Sequence, residues 1–309
     1  MPDLQLSQLI DSESPQAAWE EVQIILSLIS PDFALEPVAD GWKTAVALYN
    51  GRFPGYQACN TPYHDLNHIA DVFLAMARLI HGATLNGQTL TNHKITLGLV
   101  AALFHDSGLI QTADDTEGTG AKYLADHDRR SMELLEKFGR AANWTDNDIA
   151  DGRFLIGCTD LSNNIAAIAY PDAEIKQLGQ LLAAADLIAQ MADRAYLEKL
   201  LFLYHEFKEG GIGDYTSEVD LLEKTVNFYD FVIQRLAPIE RMINRHARRH
   251  FEARWKVDIN LYTEAMLRQM LYLQNALRQP GDPRDHLRRQ DIVQQVREFY
   301  GETEPTGND

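Results

Sequence analysis

The sequence predicts an all-α fold. Apolar residues recur at three- and four-residue spacing along most of the chain, and oxygen side chains and prolines stand where helices need to begin. Few segments alternate in the period-two manner of a half-buried strand, and there is no internal repeat or low-complexity block.

From Leu4 to Ile29 the spacing is helical, broken at Asp11-Ser12-Glu13-Ser14-Pro15, where Ser14 can cap and Pro15 can open a second helix; Pro31 ends it. Asp40 to Tyr49 reads as a short helix, and Asn50-Gly51 with Pro54-Gly55 as a turn-rich link. Thr61-Pro62 then predicts a helix start that places His64 and His68 on one face with roughly 6 Å of rise between them. This helix runs through Phe73, Met76, Leu79 and Ile80 to Gly82, and Asn86-Gly87 connects it to the next. Ile95 to Phe104 is apolar nearly all round and ends on His105-Asp106-Ser107-Gly108.

After an acidic loop from Gln111 to Gly120, a helix is expected from about Ala121 to Phe138. Thr145 with Asp148 resembles a capping arrangement, and Tyr170-Pro171-Asp172 opens the helix that contains Asp186. Tyr196 to Phe207 is amphipathic and stops at Glu209-Gly210-Gly211-Ile212-Gly213-Asp214. Ser217 and Asp220 start a helix to about Leu236, with Pro238 close behind. Ile239 to Gln279 is a long, locally basic helical pattern ended by Pro280-Gly281-Asp282-Pro283; a final helix follows, and the tail from Gly301 to Asp309 has the composition of a disordered segment.

Three of these runs carry ionisable groups where burial makes them costly unless something satisfies them. His68 projects from the first motif, His105-Asp106 closes an apolar helix, and Asp186 interrupts Leu181-Leu182-Ala183-Ala184-Ala185-Asp186-Leu187-Ile188-Ala189, where desolvation would push it toward the neutral acid. Two nitrogen and two oxygen donors suit zinc, manganese or iron better than calcium. His68, His105, Asp106 and Asp186 are therefore the candidate metal ligands.

Composition bounds the rest. The 309 residues can bury a large core, and 45% hydrophobic with 24% charged residues is the balance of a globular protein. A net charge of -17 argues against a general nucleic-acid binder but not against an anionic substrate beside a metal. Two cysteines without a framework fit a reducing compartment, and Met1 to Ser14 lacks the features of a signal peptide, so a cytoplasmic location without membrane association is expected.

In their order, Tyr63-His64-Asp65-Leu66-Asn67-His68-Ile69-Ala70-Asp71-Val72, His105-Asp106, Cys158-Thr159-Asp160-Leu161-Ser162 and Ala185-Asp186-Leu187 resemble the HD superfamily of metal-dependent phosphohydrolases, and within it the catalytic domain of class I cyclic-nucleotide phosphodiesterases. Asp126-His127 resembles the family's histidine-bearing helix, and the likeness spans Pro54 to Pro238. The chain departs from the family pattern at Asp65, which stands where asparagine is usual, at Ser107-Gly108, and at Thr225, which occupies the place of the purine-reading glutamine.

The resemblance implies a helical bundle around two divalent metals (zinc, manganese, iron or magnesium), the first held by His68, His105, Asp106 and Asp186, with Asp106 bridging to the second. It implies a water between the metals as nucleophile and His64 as general acid, with Tyr63, His127 and Phe228 toward substrate. The expected organisation is an N-terminal helical leader over 1–53, an HD-type core over 54–238, C-terminal helices over 239–300 that pack on the core or form a homodimer, and a tail over 301–309.

The function expected on this basis is hydrolysis of a nucleotide phosphoester, foremost a cyclic-nucleotide-type phosphodiester. An HD nucleotidase or (p)ppGpp-type hydrolase is the alternative within enzymes, and a non-catalytic metal- or nucleotide-binding helical regulator is the alternative outside them. Asp160 is expected to be structural, the run from Arg241 to Lys256 a solvated helix face, and His205, His246 and His250 have no assigned role.

Overall fold

The structure, a computed structural model, describes residues 4–11 and 13–301. Among them are twelve α-helices and four short 3-10 helices, with no strand and two isolated backbone bridges, Asn50 with Ala58 and Tyr56 with Thr112. The all-α expectation holds. The expected disorder of the tail falls on residues 302–309, outside the described residues.

Most helix starts follow from side chains next to them. At α1 (Pro15–Ile29) the Ser14 hydroxyl accepts from the Ala17 amide, and α2 (Glu36–Tyr49) begins four residues before Asp40 because Pro37 suits a first turn. Helix α3 (Leu66–Leu85) starts later than expected: Asp65 Oδ1 accepts from the His68 amide at 2.9 Å, so the cap is Asp65 and not Thr61. Thr61 instead donates its hydroxyl to the His64 carbonyl at 3.1 Å, which keeps Thr61 to Asp65 in a turn. His64 therefore precedes the helix, and the expected stacking of His64 and His68 on one helical face is corrected.

Thr91 caps α4 (Asn92–Phe104). The helix expected from Ala121 is divided into a 3-10 turn (Gly120–Tyr123), tied to the acidic loop by Lys122 and Tyr123 bonding to Asp115, and α5 (His127–Ala141). Thr145 and Asp148 form the capping box of α6 (Asp146–Gly157), Asp172 caps α7 (Ala173–Ala192), and Gly211 in the left-handed region ends α8 (Tyr196–Gly210). Ser217 caps α9 (Glu218–Leu236). The long C-terminal pattern is two helices, α10 (Glu240–Trp255) and α11 (Leu261–Arg278), because Lys256 takes a φ of 60° and Asn260 caps the second; α12 (Ile292–Tyr300) follows.

The centre of the bundle is α3, in which every residue from His68 to Ala83 except Asp71 is buried. It packs against α1, α4, α7 and α10, while α11 lies on α7 and α12 on α8. Trp19, Trp42 and Phe73 stack with ring centroids 5.7 to 6.3 Å apart and tie α1 and α2 to it. Gly82 does not end α3: a Cβ there would sit 1.8 Å from the His246 carbonyl oxygen, so bare backbone is what lets α3 and α10 cross this closely. Near that crossing His81 and His250 share a hydrogen bond between their Nδ1 atoms at 2.9 Å, and His246 bonds Asn86 at 3.0 Å. No helix among the described residues is long and apolar enough to cross a membrane. Cys59 and Cys158 are free thiols.

Candidate metal centre and active site

Three chain segments converge because of where their helices stop and start. His68 lies in the first turn of α3, held there by the Asp65 cap. His105 is the last, capping position of α4, and Asp106 leads into a 3-10 turn (Ser107–Leu109), so neighbouring side chains leave a dying helix together. Gly108 then lets α5 come close: a Cβ would lie 2.0 Å from the His127 carbonyl, and its amide donates to Ser131 Oγ at 2.8 Å. That contact delivers His127 beside Asp106. Asp186 arrives from the middle of α7.

His68 Nε2 lies 3.2 Å from Asp106 Oδ2 and 3.5 Å from Asp186 Oδ1, and His105 Nε2 lies 3.3 and 3.6 Å from the same oxygens. The two imidazole nitrogens thus share both carboxylates. His105 Nδ1 donates to the Ala102 carbonyl at 2.9 Å, which fixes the tautomer and leaves Nε2 buried with no hydrogen-bond partner. An orphaned buried nitrogen of this kind is what a metal ligand looks like without its metal. His127 repeats the arrangement: Nδ1 donates to the Leu124 carbonyl at 2.7 Å, and Nε2 lies 3.5 Å from Asp106 Oδ1 and from Asp128 Oδ1, the latter also buried without a partner. Ligand atoms of His68, His105 and Asp106 all fall within 4.8 Å of one another, and this buried group can hold a metal ion.

The electrostatics agree. Burial works against a charged His68, yet hydrogen bonds to Asp106 and Asp186 win and push its pKa up to about 10. Burial likewise works against ionised Asp106, but His105, His68 and His64 hold it well below the usual carboxylate range, and His105 and His68 do the same for Asp186. A cation placed among these groups would supply the same attraction for the two carboxylates.

His64 stands on the rim. Its Nδ1 bonds Glu206 Oε2 at 2.6 Å, while Glu206 Oε1 accepts from the Tyr63 amide at 2.6 Å, and this carboxylate is almost wholly buried. Burial opposes a charged His64, but the Glu206 carboxylate leaves its pKa above the ordinary 6.5. With Nδ1 occupied, Nε2 is free for chemistry. The Tyr63 hydroxyl donates to Gln190 Oε1 at 2.7 Å.

These groups border one cavity of about 710 Å³, lined by Tyr63, His64, His68, Asp106, His127 and Asp186 on one side and by Thr225 and Phe228 on another. His105 sits behind it. Asp160 reaches the cavity, but its carboxylate accepts from the Ser162 amide at 2.8 Å and Asn163 Nδ2 at 3.2 Å, a loop-building role. Arg194, eight positions after Asp186 in the sequence, lines a different groove. Three residues went unremarked in the sequence: Glu206, Gln190 and Asp128. Glu206 carried the same signal as Asp186, a carboxylate on an apolar helix face among Leu203 and Phe202, both buried.

Fold and site together define an all-helical protein with a buried group of His68, His105 and Asp106 at the base of a cavity, able to hold a metal ion, and with Asp186 beside it. The chain belongs to the Npun_R2479-like family, whose model matches residues 40–243, a span that takes in every candidate site residue. No curated protein matches it.

Proposed function

We propose that this protein is a metal-dependent phosphohydrolase of the HD type, acting on a phosphoester. The observation that carries the reading is the placement of His64, with Nδ1 bonded to buried Glu206 and Nε2 free, on the same cavity as the histidine–aspartate cluster. His68, His105, Asp106 and Asp186 would hold one ion, and Asp106 and His127 would help hold a second. When bound, such ions supply an acidified water and neutralise charge on the phosphoryl oxygens.

The protein's own part is proton delivery and placement. Glu206 holds the His64 ring and favours its charged form, so Nε2 carries a proton to give to the leaving oxygen. Over one turnover a water oxygen bonds phosphorus, the ester P–O bond breaks, the leaving oxygen takes the His64 proton, and the proton lost by water restores it. Products are an alcohol and a phosphate one ester poorer. Tyr63, anchored to Gln190, and Phe228 would border the substrate.

Purified protein loaded with manganese should hydrolyse members of a panel of cyclic nucleotides, nucleoside monophosphates and simple phosphodiesters. His105→Ala and Asp106→Ala should abolish this while circular dichroism stays native. Full activity in both variants would refute the assignment.

A further inference from the structure

The cavity is chemically two-sided. Its carboxylates and imidazoles come from α3, α5, α7 and the turns before α3, after α4 and after α6, whereas α8, α9 and the segment between them contribute Leu200, Leu203, Phe207, Ile212, Leu221 and Phe228 beside a few polar groups. The spacing explains this: Leu200, Leu203 and Phe207 fall on one face of α8, and Leu221, Thr225 and Phe228 on one face of α9. Two amphipathic helices, packed against each other, each turn an apolar stripe toward the cavity.

Much of the hydrogen-bonding capacity on this wall is already used within the protein. The Thr225 hydroxyl donates to the Leu221 carbonyl at 2.8 Å within its own helix. Lys224 Nζ donates to the Asp214 carbonyl at 2.8 Å and to Asp220 at 2.9 Å. Gln190 Oε1 is taken by Tyr63. What remains on that side is the Tyr196 and Tyr215 hydroxyls, the third Lys224 N–H and the acceptor side of the Thr225 hydroxyl, a sparse set beside six apolar side chains. A nucleobase edge brings several donors and acceptors, and burying them against such a wall strips their water without replacing it. A hydrocarbon surface gains instead.

Resting on the phosphohydrolase reading, we infer that the ester taken by this site carries an apolar alkyl or aryl group, which lies against α8 and α9 while its phosphate faces the histidine–aspartate cluster. The cavity is of the size that encloses a drug-like organic molecule.

The test uses the full chain loaded with manganese and a series of p-nitrophenyl alkyl phosphate diesters with methyl, butyl and octyl groups, alongside adenosine 3',5'-cyclic phosphate. KM should fall roughly three- to four-fold per added methylene until the wall is filled, following the hydrophobic increment for a buried methylene. Ile212→Ser and, independently, Phe207→Ser should flatten that slope. Titration calorimetry of octylphosphonate against methylphosphonate reads the same preference without turnover. A flat chain-length series, or a cyclic nucleotide hydrolysed more efficiently than the octyl ester, overturns the apolar class and leaves the phosphohydrolase standing. If no ester turns over, the phosphohydrolase reading fails and this inference fails with it.

Discussion

Replacing Glu206 tests the link between His64 and the helix that holds it. Its two oxygens accept at 2.6 Å from the Tyr63 amide and from His64 Nδ1, out of reach of solvent. Hydrogen bonds to an ionised acceptor contribute about 1.5–3 kcal/mol each, and stranding one member of a buried pair costs about 3–5 kcal/mol. Glu206→Ala strands both donors, so the loss should be about 3–5 kcal/mol, which at about 2 °C per kcal/mol lowers Tm by roughly 6–10 °C. Glu206→Gln is the sharper variant, because it keeps an oxygen for one donor but carries no charge to favour protonated His64.

Its stability loss should be about half as large, while turnover of esters with alkyl leaving groups should fall on the order of 100-fold, the lower range for a positioned acid. Esters that release p-nitrophenolate need no proton and should suffer much less. The sign of the pH effect is also fixed. An acid works while protonated, so rate declines as pH rises through the His64 pKa, which Glu206 raises above 6.5; the Gln variant should move that decline to lower pH. Calorimetry and rates on the two ester types would decide. Equal losses on both, with metal content and the pH profile unmoved, would refute His64 as the acid.

Gly82→Ala sets two effects against each other: helix propensity favours alanine by about 1 kcal/mol, but a Cβ 1.8 Å from a backbone oxygen cannot be relieved by a rotamer, and overpacking costs about 1–3 kcal/mol or more. The urea midpoint should fall; an unchanged or higher midpoint would disprove the close crossing. His105→Ala should remove bound manganese or zinc in elemental analysis, and EDTA, which should lower the wild-type Tm, should leave that of the variant unmoved. Acid should destabilise the α3–α10 contact. Burial, with Arg254 and Arg245 nearby, lowers His81 and His246 to about 4, and burial with Arg78 lowers His250 well below 6.5. Since the unfolded chain binds these protons first, stability is full above pH 6.5 and declines as pH falls toward 4, by up to about 1.4 kcal/mol per pH unit for each histidine. Replacing all three by apolar residues should flatten the decline, and an equally steep profile would count against their role.

What was legible in the sequence was mostly local. Ser14, Thr145, Asp172 and Ser217 cap their helices through amides three positions away, so spacing alone reveals them. His105, Asp106 and Asp186 stood out because charge in an apolar helix demands a partner, and the structure brings them together with His68. Choices between two local signals were harder: Thr61-Pro62 and Asp65 both resemble helix starts, and Asp65 prevails because its carboxylate reaches the His68 amide. Gly82 resembled a stop, and its reason lies more than 160 residues away on α10. Glu206 was missed for the same cause, since its partner His64 is 142 positions distant. The face of α9 that carries Leu221 and Phe228 could not be told from ordinary core until the structure set it on the cavity.

Helix α3 is gripped on several flanks by helices from both ends of the chain, and two of them, α1 and most of α10, lie outside the stretch 40–243 that the family model matches. A fragment trimmed to that stretch would retain every ligand yet bare the greasy sides of the rod on which His68 is mounted. In this chain, therefore, the cover over that rod comes in large part from beyond the matched stretch.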